Sequence, residues 1–406
     1  MDQRVAIIGG GYAGMAAGVA LAERGIPVTV FESGPVPGGR ARRVVSQGHE
    51  LDNGQHIFVG AYTELFKLMR VVGVPSDALL RYPLEVRYAG DFSLRSRGLP
   101  APLGLAAGLL CAKGVSLAER LGALRFMAAL RRMRFRVEPD RTVKQFLDDH
   151  GQHGAMRHYL WAPLCVSALN TPLDQASTNA FLAALRDTLA GDAEASDFLL
   201  PRVDLSRLFP EPAAAFIRAR GGEVRCGSTI RDLVSLKQEF QKIIVAVGPH
   251  ELKTLLPQTE VDFTYQPIYT CYLQYPASTR LGFPMLGMAD GLVQWVFDRG
   301  ALLGENGRLA CVISAQGDHQ QLSQDEVAET CHRELTRAKL VAQEPLWTRV
   351  IAEKRATITC TPGLRRPEVQ ANGVILAGDY TDAEYPPTLE AAVRSGVRAA
   401  HLATQE

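Results

Sequence analysis

Hydrophobic and polar positions alternate with three different rhythms along the chain, and each predicts a different element. Residues 5–8 are a short unbroken apolar run, the pattern of a strand buried on both faces. Met15, Val19, Ala20 and Leu21 mark a helix that stops at Gly25, and residues 27–31 form a second strand. Residues 222–226 and 242–247 read as two further strands, the second ended by Gly248-Pro249. Residues 374–377 repeat the buried-strand pattern. Pro386 and Pro387 then introduce a helix whose first turn holds Thr388 and Leu389, with Leu389, Ala392, Val393, Gly396, Val397 and Ala400 on one face.

The intervening stretches follow other periods. Residues 142–216 read as mainly helical, with Trp161, Pro163, Leu164, Leu169 and Phe181 as core or cavity wall. From residue 261 the alternation at 267–275 and 292–297 predicts a second sheet. Ser323-x-x-Glu326 is a capping box that opens a helix, and residues 347–352 are another strand. The fold class expected is therefore α/β, α+β overall: a Rossmann-like nucleotide-binding domain with an interleaved substrate domain of mixed sheet and helices. The first domain takes residues 1–80, 206–255 and 361–406, and the second takes residues 81–205 and 256–360.

The loops carry the chemistry. Gly9, Gly11 and Gly14 fit G-x-G-x-x-G between the first strand and the first helix. Gly9 permits the tight turn, Gly11 the approach of a pyrophosphate, and Gly14 close helix–strand packing, with the helix start facing the phosphates. Glu32 ends the second strand, 18 residues after Gly14, and is placed to accept from ribose hydroxyls. Pro37-Gly38-Gly39-Arg40 follows, its glycines allowing close approach and Arg40 offering a fork of donors to a pyrophosphate or a flavin edge. At the far end Gly378-Asp379 closes a strand, with Asp379 suited to a polyol such as ribitol. The helix start at Thr388 and Leu389 would favour negative charge on a nearby ring.

Composition narrows the class. The chain has 406 residues, and 44 basic against 43 acidic side chains leave a formal charge of +1, which argues against a nucleic-acid partner. Seven cysteines lie far apart without a CxxC pair, so reduced thiols in a cytoplasmic protein are expected, with neither disulfides nor a metal site. The opening MDQRVAII reads as a strand and not as a secretory leader, and no stretch reaches the roughly 20 apolar residues of a membrane span.

GGR after a dinucleotide fingerprint resembles the start of the phytoene desaturase and amine oxidase flavoproteins. LDNGQHIFVGAYTEL (51–65), LWAPLCVSALNTPLDQAS (160–177) and ILAGDYTDAEYPPTLEAAVRSG (375–396) narrow the resemblance to hydroxysqualene dehydroxylases of bacterial hopanoid synthesis. That resemblance implies non-covalent FAD, held by Gly9, Gly11, Ala13, Gly14, Glu32, Ser33, Gly39, Arg40, Gly54, Gln55, Ile230, Val247, Gly378, Asp379, Thr388 and Leu389. It implies hydroxysqualene as substrate and squalene as product, with upstream squalene-pathway enzymes as possible partners; a carotenoid-type desaturase is the alternative, and a soluble amine oxidase a more remote one. In this superfamily the segment after GGR returns past the flavin, which makes Asp52 and His56 the catalytic candidates, as proton donor or its orienting partner. Asp52 equally suits a buried cap that holds the loop, and Glu384 and Tyr385 are the reserves. In the middle of the chain Arg125, Arg131, Arg132, Arg134 and Arg136 interleave with Phe126, Met127, Leu130, Met133 and Phe135, beside the apolar stretch 98–112. A basic amphipathic segment beside an apolar one reads as contact with anionic lipid at the inner face of the cell membrane, where a hydrocarbon substrate would enter.

Overall fold

The computed structural model describes residues 4–90, 92–96, 99, 103–189, 193–259, 262–371, 373–383 and 385–405. Its first sheet has six strands in the order Glu223–Arg225, Val28–Phe31, Val5–Ile8, Lys242–Val245, Val374–Leu376 and Gln370–Ala371. The first five run parallel, and the last is antiparallel. Val5–Ile8 is buried throughout because it lies in the interior of this sheet. The first helix, Tyr12–Glu23, is apolar on every side and is covered on every side. Pro210–Ala219 packs against Gly18, where an added Cβ would stand 2.6 Å from Ile217 Cδ1. The last helix, Leu389–Ala403, crosses so closely that a Cβ on Gly396 would stand 2.1 Å from the carbonyl oxygen of Ala13.

The second lobe is built on a five-stranded antiparallel sheet in the order Met285–Gly287, Trp295–Asp298, Arg308–Ser314, Tyr265–Gln274 and Trp347–Ile358. Alternation splits its residues cleanly. Tyr269, Cys271, Leu273, Cys311 and Ile313 face the helix Gln324–Arg337, whose Ser323–Glu326 capping box is present. Tyr272, Ala310, Val312, Trp295 and Phe297 face the larger apolar cluster on the other side of the sheet. Trp161, Leu169 and Phe181 are buried in that cluster, and Leu164 packs against it. Trp161 spends its indole N–H on Gln152 Oε1 at 2.9 Å.

Glu390 is a lock that the apolar face of the last helix conceals. It is fully buried, accepts from the backbone N–H groups of Glu64 and Leu65 at 3.1 and 2.9 Å, and pairs with Arg394 Nε at 2.7 Å. It thereby caps the helix Thr63–Val71, which has no cap from its own N-cap side chain. Glu390→Ala removes that cap and leaves Arg394 with only the longer pair to Asp187 at 3.6 Å and the Tyr385 ring. It is expected to cost about 3 kcal/mol in urea denaturation, and a loss below a few tenths would show that the cap contributes little.

Candidate flavin and substrate site

The glycine turn has the geometry of a phosphate cradle. Gly9 has φ +105°, and a Cβ there would lie 2.5 Å from the carbonyl oxygen of Ala246; a Cβ on Gly14 would lie 1.9 Å from the carbonyl oxygen of Gly9. The helix start at Gly11 has no side-chain cap and no acid in its first turn, so its N–H groups are open to an anion. Gly38 N donates to Gly10 O at 2.8 Å, which lays the GGR turn against the glycine turn, and Gly39 approaches Gly11 so closely that its Cβ would be 3.1 Å from Gly11 Cα. Glu32 stands at the same edge and accepts from Gly10 N and Gly34 N at 2.7 and 2.6 Å, with Ser33 Oγ at 3.4 Å. Ile230 and Val247 pack on one apolar cluster with Ile8 and Phe31 at the ends of these strands.

The two ends of the chain meet at Arg40. Its Nη2 donates to Asp379 Oδ1 at 2.7 Å and its Nη1 to the carbonyl oxygen of Ala356 at 2.8 Å. Burial opposes the guanidinium charge, but Asp379, Glu353 and Tyr380 together outweigh it and hold the pKa above its ordinary value. Gly378 donates its N–H to Ser395 Oγ, and Tyr380 beside it buries a hydroxyl that has no partner among the described residues. Thr388 is the N-cap of the last helix, one position before the first turn where the sequence pattern puts it, and accepts from Ala391 N at 3.2 Å. Leu389 opens the helix and is partly buried. A Cβ-excluding turn, an uncapped helix start, a carboxylate at the strand end and an orphaned buried hydroxyl fit a dinucleotide cofactor. Among the described residues no group of three or more His, Cys, Asp or Glu side chains is placed to hold a metal ion.

The polar stretch 52–56 follows a hairpin. Arg43–Ser46 pairs antiparallel with His49–Asp52 around Gln47-Gly48, both at positive φ, as a two-residue hairpin turn requires. This register sends Val44 and Leu51 toward the apolar cluster, while Val45 is 71% exposed. Val45 therefore does not belong to the core that the neighbouring residues suggest, because successive strand residues face opposite ways. Asn53 N donates to Arg42 O and Asn53 Nδ2 to Arg40 O and Glu353 Oε2, while Gln55 N reaches Thr270 Oγ1 at 3.4 Å. The loop thus lies between the GGR turn and the sheet of the second lobe. A Cβ on Gly54 would meet only His56 Cε1 and Thr270 Oγ1, each at 3.8 Å, so a ligand can approach its backbone.

Asp52 and His56 differ in what they leave free. Asp52 is buried; Oδ1 accepts from Leu205 N at 2.9 Å and Oδ2 from Arg299 Nη1 at 3.1 Å. Burial raises its pKa, against the pull of Arg299 and the Leu205 N–H. His56 bonds to no side chain among the described residues: Nδ1–H donates to Gly54 O at 2.9 Å, which in the neutral ring leaves Nε2 as a lone pair. Burial lowers the His56 pKa, and Arg40 adds to the lowering while Gly54 O and Asp52 oppose it. Tyr385 is buried against Arg394, with the guanidinium 4.5 Å from its ring centre, and burial raises its phenol pKa; Glu384 lies outside the described residues. Arg299, Tyr272, Thr270 and Glu353 join the site without any local signal in the sequence.

His250 and His319 share the behaviour of His56, with burial the leading cause of a lowered pKa in each. The folded protein therefore favours neutral imidazoles, while the unfolded chain takes up protons near the ordinary value of 6.5. Stability is fully present above that pH and declines as the pH falls through it. A urea midpoint lower at pH 5.5 than at pH 7.5 is expected, with little change between pH 7.5 and 8 (on the order of one histidine shift or less).

Residues 12–403 match the model of the flavin containing amine oxidoreductases. The chain is 29% identical to the hydroxysqualene dehydroxylase of Rhodopseudomonas palustris over 99% of its own length and 98% of the relative's. It is 28% identical to that of Sinorhizobium fredii over 100% and 99%. A putrescine oxidase variant superposes with a TM-score of 0.74 over 98% of each chain at 16% identity, which supports the fold alone. The expected α/β fold with an interleaved substrate lobe is therefore the one observed. The cradle, the fold and the family match agree, and the chain belongs to the flavin containing amine oxidoreductases.

Proposed function

We propose that the protein is an FAD-dependent hydroxysqualene dehydroxylase, which replaces the allylic hydroxyl of hydroxysqualene by hydrogen to give squalene. The observation that carries this reading is the loop 52–56, a set of polar groups held between the dinucleotide cradle and the largest apolar cluster. The names of the two relatives supply the substrate. Alcohol, proton and hydride give hydrocarbon and water. Reduced FAD, bound non-covalently, supplies the hydride. His56 Nε2 delivers the proton to the hydroxyl oxygen when the imidazole is protonated. Asp52 holds the loop through Leu205 and Arg299 and adds the negative charge that favours the imidazolium. The apolar walls exclude water, which keeps the allylic cation from being recaptured.

The direct test is anaerobic. Protein loaded with FAD and reduced with dithionite is mixed with hydroxysqualene, and the extract is analysed by gas chromatography. Squalene equal to the flavin reoxidised is expected. Desaturation of a polyprenoid by the oxidised protein, with no squalene formed, would assign it to the carotenoid-type desaturases instead.

Peripheral contact with the cytoplasmic membrane face belongs to the same reading. Among the described residues Leu99, Leu103, Leu110, Leu117 and Leu121 are all exposed, five of the nine large apolar side chains that are. The helix Leu103–Leu110 turns Gly104 and Gly108 to the protein, where a Cβ would come within 2.7 and 2.6 Å of the Leu99 and Arg95 carbonyl oxygens. Arg125 and Arg132 continue the exposed face of the helix Leu117–Arg132 beyond Leu117 and Leu121. No helix among the described residues is long and apolar enough to cross a membrane. Binding to anionic liposomes is expected at low salt, weakened at least several-fold by Leu103→Asp with Leu117→Asp; equal sedimentation of both proteins would rule this surface out.

A further inference from the structure

Arg299 begins the helix Arg299–Leu303, and only 1% of its surface is exposed. Its backbone is fixed by the N-cap Asp298, itself buried, which accepts from Ala301 N and Leu281 N at 3.0 and 2.9 Å. Nε and Nη2 grip the two oxygens of Glu305 at 2.6 and 3.1 Å. Nη1 bridges two residues of the polar loop, Asp52 Oδ2 and Gln55 Oε1, each at 3.1 Å. Tyr272 lies under the guanidinium, its ring centre 5.3 Å away, and donates its O–H to the Asp52 carbonyl oxygen at 2.9 Å.

A buried ion pair of this kind is no more stabilising than a well-packed apolar pair of the same volume. An apolar pair, however, cannot hold Gln55. With Oε1 committed to Arg299, the hydrogen-bonding group that Gln55 can offer a ligand is its Nε2–H, which has no partner among the described residues. The adjacent His56 has committed Nδ1–H to Gly54 and, in the neutral form that precedes its protonation for turnover, can offer the Nε2 lone pair. Two consecutive residues therefore present one donor and one acceptor. An alcohol oxygen accepts one hydrogen bond and donates another; a hydrocarbon does neither and would leave both groups unpaired in an apolar site.

We propose that Arg299 is a positioning residue that fixes Gln55 Nε2–H and His56 Nε2 as the pair recognising the substrate hydroxyl, and so selects a polyprenoid alcohol over the hydrocarbon of the same skeleton. The inference rests on the polyprenoid-alcohol reading of the site. Without Arg299 the Gln55 amide is free to turn, and Asp52 loses the cation that keeps it charged.

The test is equilibrium binding of hydroxysqualene and squalene to the oxidised FAD-loaded protein in detergent, read from the flavin absorbance, so that no turnover is needed. The wild-type protein is expected to prefer the alcohol. Gln55→Met, which leaves the ion pair in place, is expected to lower that preference roughly tenfold or more. Arg299→Met alone strands the Asp52 charge and is unsuited to the test if it fails to fold. Combined with Asp52→Leu, it replaces the ion pair by an apolar pair; a folded, FAD-loaded double variant should show the same loss, with Arg299→Lys intermediate. Either Gln55→Met or the folded double variant retaining the wild-type preference would overturn the proposal. A wild-type protein that binds squalene as tightly as the alcohol overturns the alcohol reading itself, before any variant is made.

Discussion

Gly14→Ala protein is expected to purify without flavin. The new methyl group would stand 1.9 Å from the Gly9 carbonyl oxygen, a backbone atom that cannot turn aside. Relief requires the helix Tyr12–Glu23 to move off the strand Val5–Ile8, yet this helix is pinned on its other sides by Ile217 and by the last helix. Overpacking of this severity costs about 3 kcal/mol or more, and any relief by movement spoils the phosphate cradle itself. Gly25→Ala is the matched control. Gly25 also has a positive φ, +72°, but nothing lies within 4 Å of its added Cβ. That change is expected to cost about 1 kcal/mol from backbone conformation and to leave flavin content intact. Equal flavin occupancy in the two variants, measured by absorbance at matched protein concentration, would refute the packing argument.

His56→Ala is expected to keep its flavin and to lose about 10²- to 10⁴-fold in turnover of hydroxysqualene, the usual contribution of a positioned general acid. The sign of the pH dependence follows from the burial of the ring. Its pKa lies below the ordinary 6.5, so at neutral pH the imidazole is mostly neutral and the proton-donating cation is scarce. Turnover by the wild-type protein should rise as the pH falls from 8 toward and below 6.5, and the variant should lack that rise. The assay must stay within the range where the urea midpoint shows the protein folded. A variant with the wild-type rate and the same pH profile would remove His56 from the reaction.

The cofactor cradle was legible in the sequence because its determinants are local. Gly9, Gly11, Gly14 and Glu32 stand within 24 residues, and the strand–turn–helix–strand pattern that gives them meaning surrounds them. The polar loop was legible only as a cluster. Its residue types marked it, but the partner that holds Asp52 lies 247 residues away on another lobe, and Arg299 has no local feature that announces a buried fork. Glu390 shows the same difficulty from the other side: its neighbours Leu389, Ala392 and Val393 make an apolar face, and only the docking of the helix Thr63–Val71 explains a buried carboxylate there. The adjacent Val44 and Val45 look alike in the sequence, but the Gln47-Gly48 turn sets a register that sends them to opposite faces, one toward the apolar cluster and one to solvent.

The crossing of the first and last helices also orders events during synthesis. The apolar helix Tyr12–Glu23 leaves the ribosome before its covers, one of which arrives with residues 210–219 and the other with residues 389–403. Strand Val5–Ile8 can pair at once with Val28–Phe31 but likewise waits for its second partner, Lys242–Val245. Until those segments are made the nascent chain carries an incompletely covered hydrophobic helix and an unpaired strand edge, the two features that recruit chaperones or promote aggregation. A ribosome stalled short of residue 389 would hold a chain with its glycine turn complete and its nucleotide domain still open.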